Sequence, residues 1–188
     1  MGGETVKHTM ITYAEAIYNA TVNTDCGGMY LNEATDRLAQ MMRGNARVFL
    51  AGNGGSGACC DHMANDLCLA NVNAMSLSNS NNITCAANDF GFERIFTKQL
   101  EWWANNSENN LLVVFSCSGE SKNIIDAVRY VRTISHFDVV TFSGKQPTNT
   151  LRNMGNLNFY VPSQSYGVVQ LAHEALIHCA IDKIAGLA

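Results

Sequence analysis

Charge is scarce in this sequence. Asp, Glu, Lys and Arg supply only 15% of the 188 residues, against roughly 25% in typical domains. Much of the surface is therefore uncharged, and some of it is free to be covered by another subunit. The formal net charge of −4 argues against nucleic acid as the main partner. No apolar stretch reaches the roughly 18 residues that a membrane span needs. No basic segment followed by an apolar run opens the chain, so no signal peptide is expected. None of the seven cysteines forms a C-x-x-C pair, so nothing in the sequence suggests a thiolate zinc ribbon. Their odd number, mostly inside apolar segments, reads as buried free thiols in a reducing cytoplasm. The vicinal pair Cys59-Cys60 reads as helix packing. Two nucleotide signatures are missing as well. Gly52, Gly54 and Gly55 have the wrong spacing for G-x-G-x-x-G, and no Lys-Ser/Thr pair follows to make a P-loop.

What is present suits one folded domain. Hydrophobic residues make up 47%, and the length allows a sizeable core. Residues 5–43 read as helical, with Met10, Tyr13, Ala14, Ile17 and Tyr18 as an i, i+3, i+4 stripe. Cys26-Gly27-Gly28 interrupts the pattern, and Tyr30 to Met42 resumes it. Apolar runs then alternate with helical stretches. Strands are predicted at 47–51, 74–78, 111–115, 138–142 and 157–161. Helices are predicted at 57–69, near 90–104, at 121–133 and at about 167–185. Such alternation predicts an α/β fold: a five-stranded parallel sheet in a three-layer sandwich, with helices on both faces. The predicted division is 1–44 for the leading helices and 45–188 for the α/β core of a single domain. Ligands in such folds bind beyond the carboxyl ends of the strands. Those ends carry the Gly, Ser and Asn residues here.

Two of these loops suit an anion. Ser116-Cys117-Ser118-Gly119-Glu120-Ser121 puts hydroxyls in one strand-to-helix turn, with Ser121 placed to cap the helix. Glu120 argues mildly against phosphate there. Asn53-Gly54-Gly55-Ser56 has adjacent glycines that let backbone approach a ligand, and Asn53 can hydrogen-bond a sugar. The alternative for both is a turn that merely starts a helix. Chemistry-bearing residues stand on two helices. His62 and Asp66 are four apart and share a face. Gln170, His173 and His178 lie on the last helix, where Gln170 and His178 are about 80° apart after whole turns. His, Asp, Gln and His make a nitrogen and oxygen set suited to a divalent ion. The alternative is that each is a hydrogen-bonded core residue. His173 reads as support or packing.

Five motifs occur in order: G-N-G-G-S at 52–56, H-x-x-x-D at 62–66, A-N-D-F-G-F at 87–92, S-x-S-G-x-S at 116–121 and Q-x-x-H-x-x-x-x-H at 170–178. Together they resemble the sugar isomerase (SIS) domain family, and within it the sedoheptulose 7-phosphate isomerases. The resemblance covers nearly the whole chain. It implies that Asn53, Gly54 and Gly55 line the sugar site and that Asn88 and Asp89 meet the sugar chain. Ser116, Cys117, Ser118 and Ser121 would hold the phosphate. His62, Asp66, Gln170 and His178 would bind zinc, with Gln170 and Asp66 also meeting substrate. Asp66 and His178 would be the proton-transfer pair. A cytoplasmic homotetramer with sites shared between subunits is implied too. The alternatives are a non-catalytic phosphosugar-binding or protein-partner relative, or an isomerase of another phosphosugar. Departures from the family pattern cluster near the expected site. Asp66 replaces a usual Glu, Asn79 a usual Asp and Leu171 a usual Glu, while Ser165, Tyr166 and Val168 replace an Asp-Thr-x-Arg lead-in.

Overall fold

The computed structural model describes residues 9–105 and 108–187; the helical reading of 5–8 lies outside them. Two helices lead, α1 (Met10–Val22) and α2 (Leu31–Gly44). Thr9 starts α1 with a reciprocal cap: its hydroxyl accepts from the Thr12 amide, and the Thr12 hydroxyl accepts from its own. Gly27 and Gly28, at φ 66° and 89°, make the break between the helices.

Five strands follow: β1 (Arg47–Gly52), β2 (Ala74–Ser76), β3 (Asn110–Ser116), β4 (Phe137–Gly144) and β5 (Leu157–Val161). They form one sheet in the order β2-β1-β3-β4-β5, every pair parallel. Strand β3 is buried at every position, as a central parallel strand covered on both faces must be. Alternation along the strands divides the core in two. Val48, Leu50, Val113 and Phe115 face α2, α3 (Gly55–Leu69) and α7 (Tyr166–Ala185). Phe49, Ala51, Leu112 and Val114 face α4 (Ser80–Phe90), α5 (Ile95–Trp103) and α6 (Lys122–Val131). The three-layer expectation is met.

Under α7 the registered residues Phe115, Phe142 and Phe159 stack across three strands. Their ring centroids are 4.6 Å apart in both pairs, with interplanar angles of 16° and 6°. None is more than 1% exposed. Burying each contributes about 2–3 kcal/mol by area alone.

The stretch 77–104 departs from the sequence reading. Where one helix near 90–104 is expected, two helices stand in the longer stretch 80–103, α4 ending at Phe90 and α5 starting at Ile95, with a 3-10 turn, Phe92–Arg94, between them. The first, α4, occupies what reads as a turn. Ser80, Asn81 and Asn82 are poor helix formers, and only Ala86 of α4 is buried, so its apolar stripe is faint. Asn79 starts it by accepting from the Asn81 amide. Gly91, at φ 86°, ends it. Smaller departures are the second strand, which stops at Ser76 rather than 78, and α6, which stops at Val131 rather than 133.

Candidate active site

The strand order reverses between β1 and β3, and the crevice at such a switch point is where open α/β sheets bind ligands. The loops leaving those two strands are the Asn53 loop and the Ser116 loop. Between them lies a cavity of about 210 Å³. Asn53, Gly55 and Ser56 line one side, and Ser116, Cys117, Ser118 and Ser121 another. Tyr166 and Gln170 of α7 complete it. A larger hollow of about 500 Å³ lies at the opposite ends of the strands, beside α2 and His136, away from all of these residues.

Three helices begin at the cavity: α3, α6 and α7. Gly54 precedes α3 at φ 54° and makes no side-chain cap. Ser121 holds the cap position of α6, but its hydroxyl makes no cap bond either. It accepts from the Ser116 hydroxyl at 3.2 Å instead. The sequence expectation of a side-chain cap there is corrected. Uncapped helix starts leave free N–H groups and a partial positive charge pointing at the cavity. The Ser loop is held by backbone and by two neighbours. Gly119 sits at φ 67°, and a Cβ there would meet Asn149 Oδ1 at 2.0 Å, so only glycine fits. Glu120 turns away from the cavity, where it accepts from the Thr150 amide at 2.7 Å and the Thr150 hydroxyl at 2.8 Å. The carboxylate that argues against an anion in sequence is thus engaged elsewhere. Burial pushes the Cys117 thiol up, and a contact with the Ser56 hydroxyl tempers the rise. The cavity wall therefore presents neutral donors.

Residues far apart in sequence complete the site. Asn53 and Asn123 exchange two amide hydrogen bonds, each 2.9 Å. Asn123 is 3% exposed and fixes how Asn53 faces the cavity. Sequence reading missed Asn123; its only signal is an amide in the first turn of an otherwise apolar helix face. The Lys145 ammonium stands 3.9 Å over the Tyr166 ring, another residue the sequence reading did not single out.

The strongest grouping is on α3 and α7. Asp66 Oδ2 lies 3.4 Å from His62 Nε2 and 3.7 Å from His178 Nδ1. The two imidazoles are 5.2 Å apart at 71°. One ligand atom from each of the three residues lies within 4.8 Å of the others. A carboxylate oxygen between two imidazole nitrogens is a donor set that fits a divalent transition metal. The group is half-open to solvent, with side-chain exposures of 59%, 28% and 38% for His62, Asp66 and His178.

Gln170 stands two turns earlier on α7, at the cavity. A Cβ on Gly55 would lie 1.9 Å from its Nε2, so glycine at 55 is what admits the amide. Gly54 instead lines a neighbouring hollow of about 460 Å³ with Asp61 and Phe92. Asn88 and Asp89 are exposed on α4, where Asn88 donates to Asp89 at 2.7 Å. They belong to the sheet face opposite α3 and α7 and do not line the cavity of their own chain. His173 is buried against Phe115 and Phe142, with Nε2 3.1 Å from the Ser143 carbonyl. Packing is its place.

A family model described as the SIS domain matches residues 12–144. The chain belongs to the SIS domain family. Among its relatives is the phosphoheptose isomerase of Fusobacterium nucleatum, 30% identical over 158 residues, which are 81% of this chain and 79% of that one. The phosphoheptose isomerase of Hamiltonella defensa is 29% identical over 175 residues, 89% and 83% of the two chains. A solved phosphoheptose isomerase from Francisella tularensis superposes with a TM-score of 0.80 at 29% identity, covering 94% of this SIS chain and 96% of its own. The solved enzyme from Neisseria gonorrhoeae gives 0.77 at 25% identity, over 94% and 95%.

Proposed function

We propose that this SIS domain protein is an aldose–ketose isomerase. It converts sedoheptulose 7-phosphate to D-glycero-D-manno-heptose 7-phosphate, for envelope or capsule heptose synthesis in the cytoplasm. One observation carries the reading: a neutral, hydroxyl-lined cavity at two uncapped helix starts shares its α3–α7 wall with a carboxylate set between two imidazoles. One end suits a phosphate monoester; the other suits proton transfer. The names of the relatives support the same substrate class.

In this reading Ser116, Ser118 and Ser121 donate to the phosphate and Cys117 offers its backbone and neutral thiol. Anchoring the phosphate fixes the sugar without joining the chemistry. Asn53, Gly55 and Gln170 border the sugar in the cavity, and Gly54 would meet it only from the adjoining hollow that Asn53 also lines. Isomerisation moves one proton from C1 to C2 and another from O1 to O2. Asp66 and His178 are the proton-transfer pair. His62, Asp66, Gln170 and His178 are the residues that would hold zinc. Bound there, a divalent ion supplies polarisation of the sugar carbonyl and stabilises developing charge on oxygen. Asn88 and Asp89 do not line their own chain's cavity, and in this reading they meet the sugar in the site of a neighbouring copy. The homotetramer with shared sites is part of the proposal, as is the single-domain division. Among the described residues no helix is long and apolar enough to cross a membrane.

The test is turnover of sedoheptulose 7-phosphate by purified protein, before and after chelation and with zinc restored. Metal-dependent aldose formation is expected, and it should be abolished in His178→Ala with the assembly intact. Near-normal turnover by that variant would remove His178 from the mechanism. A folded, metal-loaded protein that turns over no ketose phosphate would overturn the reading.

A further inference from the structure

The Asn53–Asn123 pair ties together two loops that face the same cavity. Asn53 belongs to the loop after β1. It lines both the cavity of about 210 Å³ and the adjoining hollow of about 460 Å³, so it stands where one space passes into the other. Asn123 is the second residue of α6, just past the Ser116–Ser121 turn. Asn123 itself lines neither space. Any effect it has on a ligand therefore passes through Asn53.

A lone asparagine is ambiguous. Rotation about its last bond is broad and roughly two-fold, so its N–H and C=O ends trade places readily. Two observations remove that freedom here. The Asn123 Oδ1 accepts from the Ile124 amide at 3.0 Å. A backbone N–H only donates, so this end of the Asn123 amide is the oxygen. The two side-chain amides then exchange bonds of 2.9 Å each. Asn53 Nδ2 faces the Asn123 oxygen, and Asn53 Oδ1 faces the Asn123 N–H. A flipped Asn53 would set oxygen against oxygen and N–H against N–H. Asn123 is 3% exposed, so water is not there to repair the mismatch, and buried unmatched groups are costly. The exchange uses one N–H and one lone pair of Asn53. The second N–H and second lone pair meet no protein group among the described residues.

We propose that Asn123 is a positioning residue for the sugar part of the substrate: it holds the Asn53 amide in one orientation before the ligand arrives. The inference rests on the phosphosugar site of the isomerase reading above. The first turn of α6 then serves both ends of the ligand. Its free N–H groups and Ser121 face the phosphate, and its Asn123 sets the amide that meets the sugar hydroxyls. Because Ile124, Asn123 and Asn53 form one chain of bonds, the sugar loop is registered to the phosphate turn. A sugar that reaches Asn53 finds a donor and an acceptor already aimed, and no rotamer freedom is lost on binding. Inorganic phosphate, which ends at the Ser turn, gains nothing from this arrangement.

The experiment measures binding of sedoheptulose 7-phosphate and, separately, of inorganic phosphate by calorimetry, with turnover followed in parallel. The proteins are wild type, Asn53→Ala, Asn123→Ser, Asn123→Thr and the double variant Asn53→Ala with Asn123→Ser. Serine and threonine each keep a hydroxyl that can accept from the Ile124 amide, so the start of α6 is preserved; threonine fills more of the buried volume and is the second variant should serine not fold. Both should bind the phosphosugar about tenfold more weakly and bind inorganic phosphate within about twofold of wild type. In the Asn53→Ala background, Asn123→Ser should weaken phosphosugar binding no further, because a residue that acts through another is silent once that other is gone. Wild-type phosphosugar affinity in Asn123→Ser and Asn123→Thr would overturn the inference. So would additive losses in the double variant. Equal losses for phosphosugar and phosphate would mark Asn123 as mere support for α6, which also overturns it. A wild type that binds the phosphosugar no tighter than phosphate would overturn it too. A wild type that binds the phosphosugar and never turns it over would overturn the isomerase reading alone.

Discussion

Replacing His173 by glutamine should flatten the acid side of the stability profile. His173 is 2% exposed and lies on the Phe115–Phe142 stack. Desolvation drives its pKa down to about 4, with the Ser143 carbonyl pulling slightly the other way. In the unfolded chain the ring titrates at the ordinary value of 6.5. The neutral ring is therefore the folded form, and the unfolded state binds a proton first as pH falls. The contribution is complete above about pH 6.5, declines between 6.5 and 4, and is lost below 4. Between pH 7 and pH 5 the shift costs about 2 kcal/mol of folding stability. Glutamine keeps a donor for the Ser143 carbonyl and cannot titrate. The assay is urea unfolding of both proteins at pH 7, 6 and 5. Carboxylates elsewhere contribute equally to the two, so their difference isolates the ring. The variant should be less stable at pH 7, through lost packing, and the gap should close by about 2 kcal/mol at pH 5. A gap that stays constant with pH would refute the argument that His173 is buried neutral.

Phe142→Ala removes the middle ring of the three-Phe stack, 0% exposed, and should cost about 3–5 kcal/mol in chemical unfolding; a loss under about 1 kcal/mol would mean the stack is not the packing centre of that face. Gly55→Ala would place a Cβ 1.9 Å from Gln170 Nε2. That amide is the end of a flexible side chain, so the fold should survive with a change within about 1 kcal/mol, while phosphosugar binding measured by calorimetry weakens at least about tenfold. Unchanged binding would take Gln170 out of the cavity's function. Asp66→Glu restores the usual length and should keep or raise turnover; a folded but inactive variant would show that the site is built around the shorter side chain.

The comparison of sequence and structure is uneven along the chain, for physical reasons. Strand β3 and the Ser116 loop were legible because a run such as Leu111–Phe115 is dictated by burial on both faces, and a Ser-rich turn follows directly from it in the chain. Helix α4 was not, because its start is Ser-Asn-Asn and its buried face is a single alanine. Asn123 was missed because its meaning is a partner 70 residues away. Glu120 was misjudged, since its direction is set by Thr150.

Local chemistry and periodicity, which act over a few residues, determined the alternating elements, the two anion-suited loops and the shared faces of His62 with Asp66 and of Gln170 with His178. Only the tertiary structure decided that α3 and α7 lie side by side and parallel, that Gly55 admits Gln170, and that Asp66 sits between two imidazoles. Those juxtapositions depend on how two helices from opposite ends of the core pack on one sheet face. No spacing along the chain encodes that packing.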